Sequence, residues 1–487
     1  MAFVSKTSVD DASTAKFAHV ATDFSAKLSG KMPESRSIAV IGGGATGLAA
    51  AHDLAKAGAK VRLFECNTHL GGAVRSERDG EWLIESGPNS LQESAELGAL
   101  IAELGLGNER CYAQPEAKNR YILRDGRPVA APASPPGLFQ SKLFSFGAKV
   151  RLFAEILKRP RIRPADISLA QFIRSHFGDE LVDYGLNPFV SGVYAGDPEK
   201  LSAKYAFPSL WKMERETGSI IRGQIKAAKA KRARGQKAGP PAIISFREGL
   251  GTIPAALARE LPEGAIETNA RVTTLVRGET GWTLVWARDG STSSETFDRV
   301  VIALPALPLS QLAIGPLGER PLAELANIVS PPVASLFLGY RREQVTHPLD
   351  GFGILMPQKE NRQVLGVLFS SSLFPGRAPD GHVAVTVMMG GVRRMDLGRA
   401  DEDQLLAIAR RELGEILGVS GDPVFHRLNR WPRAIPQYDL GYGAYLKAIE
   451  ACERTHAGLY IGGQVRDGIA VPSCLSAGAK LAERALG

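Results

Sequence analysis

One stretch near the N-terminus constrains the fold more than any other. Apolar and β-branched residues at 38–41 predict a buried strand, glycines follow with the G-x-G-x-x-G spacing, and an alanine-rich run continues as a helix. Gly58 ends that helix, residues 60–64 predict a second strand, and Glu65 follows it. This order of elements is that of a βαβ unit that binds a dinucleotide. A glycine-rich turn without a ligand is the alternative.

Each residue of this unit has a physical role. Gly42 allows the tight turn, Gly44 lets the backbone approach a pyrophosphate, and Gly47 lets helix and strand pack closely. The helix N-terminus offers free N–H groups to phosphates, and Glu65 can accept hydrogen bonds from a ribose diol. The expected contacts in the turn are Gly42, Gly43, Gly44, Ala45, Thr46 and Gly47.

Composition indicates an ordinary globular protein. The chain has 487 residues, of which 44% are hydrophobic and 23% charged, which is enough for two or three domains. No apolar run approaches the roughly 18 residues that span a bilayer. Its four cysteines lack C-x-x-C spacing and its eight histidines lack H-E-x-x-H spacing. We therefore expect a reducing compartment and no metal site.

The net charge of +8 is concentrated in one run. Seven basic residues and no acid lie between Arg222 and Lys237, and Gly239-Pro240-Pro241 follows. A solvated helix end that continues into a loop is one interpretation of this run, and contact with anionic lipid is another. We expect no nucleic-acid partner.

A second motif follows the βαβ unit. Residues 70–76 read L-G-G-A-V-R-S, and residues 84–88 read I-E-S-G-P. This pattern resembles the FAD-binding fingerprint of the flavin amine oxidase superfamily. The resemblance implies that Arg75 lies by the pyrophosphate, where a forked and permanent charge fits, and that Gly87 and Pro88 lie near the isoalloxazine. A solvated surface arginine is the alternative for Arg75.

A third segment narrows the family. Residues 187–202 read N-P-F-V-S-G-V-Y-A-G-D-P-E-K-L-S, and the chain resembles the oxygen-dependent protoporphyrinogen oxidase family from residue 36 to residue 487. That resemblance implies the six-electron oxidation of protoporphyrinogen IX in haem and chlorophyll synthesis. It also implies non-covalent FAD, O2 as acceptor giving H2O2, peripheral membrane contact and, in many members, a homodimer.

The fold class expected from these features is α/β (α+β). A Rossmann-like FAD-binding domain would be joined by an antiparallel-sheet substrate domain and an inserted α-helical membrane-binding domain. Residues 1–35 would form a disordered extension. The FAD-binding domain would consist of three parts, 36–110, 241–307 and 456–487. The substrate-binding domain would consist of a segment at 111–131 and the main part at 308–455, and the helical membrane-binding domain would span 132–240.

The resemblance also assigns site residues. Arg120 would pair with a propionate of the porphyrinogen, although a structural salt bridge is the alternative. Phe189 and Gly192 would line one side of the tetrapyrrole, and Leu355 and Leu368 would sandwich a pyrrole ring. Met388 stands where plant members usually have Phe, so contact is kept but the aromatic stack is lost. The remaining FAD contacts would be Ala73, Asn89, Ser90, Val272, Gln464, Ile469, Ala470 and Val471.

The mechanism expected is hydride transfer from the substrate to the flavin, repeated three times, with proton loss between rounds. The sequence identifies no residue as a catalytic base. The Gly192 carbonyl would stabilise developing positive charge. Three alternatives remain: a soluble coproporphyrinogen III oxidase, a flavoenzyme acting on an amine or a carotenoid, and a non-catalytic escort protein.

Residues 1–35 lack the features of a secretory signal or transit peptide. We therefore expect a bacterial cytoplasmic protein, peripheral on the inner face of the membrane, with an organelle as the open alternative.

Overall fold

A computed structural model describes residues 36–132, 135–233 and 241–487. The expectation for residues 1–35 and the last part of the basic run, residues 234–237, lie outside the described residues.

The first sheet, here called the parallel sheet, has five strands that all run in one direction. Ile38 and Val40 of its central strand pack into a layer of helices, whereas Ala39 and Ile41 pack towards Trp282 on the opposite face. This alternation follows from the two-residue repeat of a strand. In spatial order the strands are Ile266–Glu267, Lys60–Phe64, Ser37–Ile41, Arg299–Ile302 and Leu459–Ile461.

A smaller sheet covers the second face of the parallel sheet. Trp282 and Leu284 of this smaller sheet are fully buried and belong to the same apolar cluster as Ile41 and Ile302. The strands are, in order, Ser291–Phe297, Trp282–Arg288, Arg271–Arg277 and Ala313–Ile314. On the other face, helices Ala45–Lys56 and Val471–Leu486 pack closely, since a Cβ on Gly478 would lie 2.4 Å from the Thr46 carbonyl oxygen.

The largest sheet, here called the seven-stranded sheet, is antiparallel except for one parallel pair between Asn119–Arg124 and Gly351–Leu355. Leu336 and Val387 on one face pack against Leu405 of helix Glu402–Leu417. Phe337 on the other face meets Trp82. The strands in order are Phe425–Trp431, Val333–Arg341, His382–Gly390, Val364–Leu368, Gly351–Leu355, Asn119–Arg124 and Arg127–Ala130.

Helices fill most of the described chain between residues 135 and 233, here called the helical segment. Fully buried Leu169, Phe172 and Val190 give it a core of its own. Two stretches are π-helical, Val182–Leu186 and Val190–Tyr194. The other helices are Pro135–Gln140, Phe146–Ala154, Glu155–Leu157, Leu169–Phe177, Asp179–Leu181, Asn187–Phe189, Ala203–Ala206, Pro208–Thr217 and Ile220–Ala233.

The remaining elements connect these layers. Two small sheets are formed by Ser76–Asp79 with Trp82–Glu85, and by Leu91–Gln92, Ile243–Phe246 and Arg110–Tyr112. The remaining helices are Ala95–Glu103, Leu106–Asn108, Thr252–Arg259, Ala306–Gln311, Ala323–Asn327, Arg342–Gln344, Gln358–Glu360, Ser370–Leu373, Leu397–Arg399 and Gly443–Thr455. Within the described ranges, no helix combines the length and the apolar character needed to cross a membrane.

Several sequence predictions are confirmed and others need new boundaries. The sequence of residues 169–177 predicts a helix, and the structure has helix Leu169–Phe177 with those bounds. The Asp125-Gly126 turn after an apolar run predicts a hairpin, and this hairpin is present. Residues 142–158 also predict a helix, but in the structure it begins only at Phe146, because Ser145 caps it by accepting a hydrogen bond from the Ala148 N–H. The C-terminal sequence predicts a last helix over 476–486, but in the structure this helix begins at Val471, with Pro472 in its first turn.

Candidate cofactor and substrate site

The carboxyl ends of the parallel strands bring the predicted cofactor segments to one edge of the parallel sheet. The Gly42 N–H donates to the Phe64 carbonyl at 2.8 Å, so the glycine turn lies beside the end of the second strand. The Gly462 N–H donates to the Ile302 carbonyl at 3.1 Å and carries the C-terminal segment to the same edge. Ligands of open α/β sheets bind at this edge.

The three spaced glycines differ in what surrounds them. Gly42 has φ +105°, and a Cβ there would lie 2.6 Å from the Ala303 carbonyl oxygen. A Cβ on Gly47 would lie 1.8 Å from the Gly42 carbonyl oxygen. A Cβ on Gly44 would meet no atom of the described residues within 4 Å. The first and third glycines are therefore required by packing, and the second faces open space where a phosphate group fits.

The helix that begins after Gly44 supplies the donors for such a group. Gly44 is the N-cap of Ala45–Lys56, and no side chain of the described structure caps this helix end. The first-turn N–H groups, including those of Ala45 and Thr46, have no carbonyl partners inside the helix. The first turn also holds no acid. Free donors and an unopposed helix dipole fit the pyrophosphate of a dinucleotide.

Glu65 is buried next to the glycine turn and is already engaged there. One carboxylate oxygen, Oε2, accepts from the Gly43 N–H at 2.8 Å, and Oε1 accepts from the Asn67 N–H at 2.9 Å. The Glu65 carbonyl accepts from the Ala270 N–H at 2.8 Å. This last bond brings Val272, on strand Arg271–Arg277, close to the same edge. Glu65 thus fixes the shape of the turn in addition to its predicted role towards the ribose.

The second motif lies against the first. The Gly71 N–H donates to the Gly43 carbonyl at 2.8 Å. A Cβ on Gly87 would lie 2.1 Å from the Ala73 carbonyl oxygen, so these two backbones touch. Arg75 is exposed, and its Nη1 lies 3.4 Å from His69 Nε2. Residues Pro88, Asn89 and Ser90 follow in half-buried positions, with the Asn89 amide donating to the Gly87 carbonyl at 3.0 Å.

The C-terminal segment closes the same edge. A Cβ on Gly463 would lie 3.2 Å from Thr46 Oγ1, so Gln464 follows directly beside the first helix. The Tyr438 hydroxyl donates to the Gln464 carbonyl and accepts from the Gly468 N–H at 3.1 Å. Ile469 and Ala470 lead into the helix that begins at Val471. Sequence reasoning missed Tyr438, because no local pattern marks a tyrosine that bridges two loop backbones.

The predicted substrate residues share one face of the seven-stranded sheet. Leu355 is opposite Gly366, which is opposite Met388 on the next strand. Leu368 is opposite Gly353, which is opposite Arg120. Because directly opposed residues point to the same face and the face repeats every second residue, all four side chains lie on that face. Arg120 is exposed, and its guanidinium lies 5.4 Å from the centre of the Phe352 ring.

The helical segment reaches this face through Gly192. A Cβ on Gly192 would lie 2.4 Å from Leu355 Cδ2. Phe189, three residues earlier, is 41% exposed. The segment is held by Arg393, whose Nη2 lies 3.1 Å from Asp197 Oδ1 and whose Nη1 lies 3.4 Å from Ser191 Oγ. Sequence reasoning missed Arg393. The acid that ends the G-V-Y-A-G-D segment, Asp197, is the one signal that would have suggested a cationic partner.

The two groups of residues meet at Trp431. The Trp431 indole donates to the Ser86 carbonyl at 2.7 Å, and its ring lies beside Gly87. Strand Phe425–Trp431 is itself an edge of the seven-stranded sheet. The segment predicted for the flavin ring and the face predicted for the substrate are therefore neighbours.

A buried acid lies behind this junction. Glu85 accepts from the Ser76 hydroxyl at 2.6 Å and from the Leu250 N–H at 2.9 Å. Burial raises the pKa of its carboxyl to about 7, against the hydrogen bonds and the nearby Arg377 charge, which lower it. Burial also lowers the pKa of the Arg377 guanidinium. The sequence predicted neither effect, because burial depends on the packing of distant segments.

Comparison with known proteins agrees with this geometry. The sequence profile of the family described as flavin containing amine oxidoreductase matches residues 45–486. A solved protein from Exiguobacterium has the same fold, with a TM-score of 0.77 and 22% identity over 94% of this chain and 99% of that one. Putrescine oxidase bound to putrescine has a TM-score of 0.65 and 18% identity over 92% and 98% of the two chains.

Curated relatives cover nearly the whole chain. Mitochondrial protoporphyrinogen oxidase of Nicotiana tabacum is 33% identical over 93% of this chain and 95% of its own length. Coproporphyrinogen III oxidase of Staphylococcus aureus is 26% identical over 93% and 99%. With the glycine turn, Glu65 and the free helix N-terminus in place, this chain is an FAD-dependent enzyme that belongs to the flavin-containing amine oxidoreductase family.

Proposed function

We propose that this enzyme oxidises protoporphyrinogen IX to protoporphyrin IX, removing six electrons in three rounds. The observation that carries the proposal is the shared face of Arg120, Leu355, Leu368 and Met388, with Gly192 against Leu355. One cation at the rim of an apolar face fits a flat, largely apolar macrocycle with acidic side chains. The relationship to the tobacco enzyme supports the same substrate.

Each residue has a proposed role. The Arg120 guanidinium binds a propionate by forked hydrogen bonds. Leu355 and Leu368 hold one ring between them, Met388 adds a polarisable contact, and Phe189 covers the ring from the helical segment. The Gly192 carbonyl faces the positive charge that develops as a hydride leaves. FAD, when bound, would supply the hydride acceptor, and the chain orients the macrocycle and excludes water.

The electron acceptor that we propose is O2, which would yield one H2O2 for each round. The test is an aerobic fluorescence assay of the purified holoenzyme with protoporphyrinogen IX, with peroxide measured in parallel. We expect porphyrin and peroxide at about one to three. Porphyrin without peroxide would contradict O2 as the acceptor and leave the substrate assignment intact.

Coproporphyrinogen III is the second candidate substrate, because the Staphylococcus aureus relative also matches over nearly its whole length. The same assay run with both porphyrinogens separates the two. A kcat/KM that is higher for protoporphyrinogen IX supports the main proposal, and the reverse preference replaces it. Turnover of neither by a flavin-loaded protein would contradict both.

We also propose the domain division given by the sequence. All strands of the parallel sheet come from segments 36–110, 241–307 and 456–487, which supports one FAD-binding unit made of three parts. The seven-stranded sheet draws its strands from 111–131 and 308–455, which supports one substrate-binding unit. The helical segment between them has a separate core.

We propose that the helical segment makes a peripheral membrane contact, on the inner face of a bacterial membrane. Phe146, Leu157 and Ile162 are each 78% exposed, and Phe139 stacks on Phe153 with 4.9 Å between ring centres. Exposed basic side chains at Arg159 and Arg161 lie in the same region. Exposed apolar groups beside cations suit an anionic lipid surface.

Flotation with anionic vesicles tests this contact. We expect the holoenzyme to float, and the Phe146→Ser/Leu157→Ser variant to remain unbound. The control is Leu317→Ser, which removes an 89% exposed leucine outside the helical segment. Equal flotation of both variants and the unchanged chain would contradict the proposal.

We also propose a homodimer, which the family resemblance implies for many members. Size-exclusion chromatography with light scattering tests it, and the mass of a single chain would contradict it.

A further inference from the structure

Ser335 and Asn429 carry two buried polar atoms that no described residue satisfies. Ser335 Oγ and Asn429 Nδ2 have no hydrogen-bond partner within the described chain. Ser335 is 1% exposed. The two residues are directly opposite each other on strands Val333–Arg341 and Phe425–Trp431. Since a buried polar group without a partner is costly, two such groups side by side indicate a ligand between or beside them.

The position of this pair indicates on which face of the seven-stranded sheet the ligand lies. Ser335 is opposite Met388 on its other flank, so the pair lies on the face that carries the predicted substrate residues. Trp431, two residues after Asn429, shares this face and contacts Ser86 and Gly87. The pair therefore lies between the segment predicted for the flavin ring and the residues predicted for the substrate.

The chemistry of the pair distinguishes the two possible occupants. The Asn429 amide NH2 can only donate hydrogen bonds, and the Ser335 hydroxyl can donate as well as accept. The ring edge of a flavin carries carbonyl oxygens and ring nitrogens that accept such bonds. The pyrrole nitrogens of a porphyrinogen carry hydrogens and donate, and its bridging carbons are apolar. The pair can therefore donate to the flavin edge but not to the inner atoms of the macrocycle. Arg120, which we propose binds a propionate, lies on a strand four positions away from that of Ser335.

We propose that Ser335 and Asn429 hydrogen-bond the polar edge of the flavin ring and position that ring against the substrate face. They are positioning residues contributed by the substrate-side sheet, outside the glycine turn and the two other cofactor segments. The proposal depends on FAD lying at Gly87–Ser90 and does not depend on which porphyrinogen is oxidised.

The test compares holoenzymes with Ser335→Ala, with Asn429→Ala and with both changes. The readouts are the visible spectrum of the bound flavin, its midpoint potential and the rate of FAD release. We expect each single variant to release FAD about 3- to 10-fold faster, as loss of one hydrogen bond implies, with shifted flavin bands. In the double variant, the rate of FAD release should increase by less than the product of the two single-variant factors, because both groups contact one ligand.

Ser310→Ala is the matched control. Ser310 is also buried, but its hydroxyl already donates to the Leu307 carbonyl at 2.7 Å. This variant should leave the flavin spectrum, potential and release rate unchanged. Unchanged flavin properties in the Ser335 and Asn429 variants would overturn the proposal, whether or not KM rises. Because these measurements need no porphyrinogen, they test this proposal independently of the proposed reaction.

Discussion

Gly192 and Leu355 approach each other so closely that no side chain fits between them. A Cβ on Gly192 would lie 2.4 Å from Leu355 Cδ2. The two residues come from different parts of the molecule, a π-helical turn and a strand of the seven-stranded sheet. This contact fixes how far the helical segment stands from the proposed substrate face.

Gly192→Ala should impair catalysis more than folding. The added methyl group would displace the end of the Leu355 side chain. That side chain can rotate into the space where Leu355 and Leu368 are proposed to hold a ring of the substrate. We expect kcat/KM to fall about tenfold, in the range that one methyl group in an apolar pocket produces, with little change in thermal unfolding. Adding Leu355→Ala should restore part of the loss, and a double variant worse than both singles would contradict this explanation.

Arg120→Ala should weaken substrate binding more than it slows the reaction at saturation. Loss of a charge-assisted pair predicts a KM increase of about tenfold or more, with the rate of flavin reduction at saturating substrate nearly unchanged. Arg120→Lys should recover only part of the affinity, because an ammonium cannot form the forked contact. Arg127→Ala, an exposed cation on the adjacent strand, is the control. An unchanged KM for Arg120→Ala would remove Arg120 from the site.

Glu65→Gln should reduce FAD affinity through the glycine turn. The Gly43 N–H now meets a carboxylate oxygen at 2.8 Å, and a charged acceptor makes the stronger bond. We expect the FAD dissociation constant to rise about tenfold, measured by flavin fluorescence during titration of the apoprotein. Glu267→Gln, an acid paired with Arg62 on the neighbouring strand, should change the constant little. Equal affinities for both variants and the unchanged chain would argue against a role for Glu65.

Because the pKa of Glu85 is raised, its ionisation should make the stability of the protein depend on pH at values above those at which a carboxyl group ordinarily titrates. Its pKa rises from 4.5 to about 7 on folding, so the folded protein binds the proton more tightly. The contribution of Glu85 to stability is then fully present below about pH 4.5, declines as pH rises towards 7 and is lost above it. Across that window the loss is about 3 kcal/mol.

Glu85→Gln tests this dependence, because glutamine can accept from the Leu250 N–H and cannot ionise. At pH 8 we expect the variant to unfold at a higher temperature than the unchanged chain, and at pH 5 at about the same temperature. Glu248→Gln, at an exposed acid paired with Arg78, should show no such difference between the two pH values. A Glu85→Gln variant that is less stable at pH 8 would contradict the assignment.

Local sequence determined the cofactor-binding unit. The turn after strand Ser37–Ile41 needs glycine at 42 because φ is +105° there, and at 47 because a backbone oxygen occupies the place of a Cβ. These requirements act within a few residues, so spacing alone reveals them. The likeness of residues 187–202 to one oxidase family likewise indicated the proposed substrate face from sequence alone.

Tertiary structure alone decided how the distant parts meet. The alignment of Arg120 with Leu368 across three strands depends on sheet register, which one bulged residue shifts. The pKa of Glu85 depends on Leu250 and Arg377, far along the chain. The unpaired groups of Ser335 and Asn429 become visible only when two strands bring them together. Sequence spacing specifies local backbone geometry, whereas burial and pairing between remote segments exist only in the folded chain.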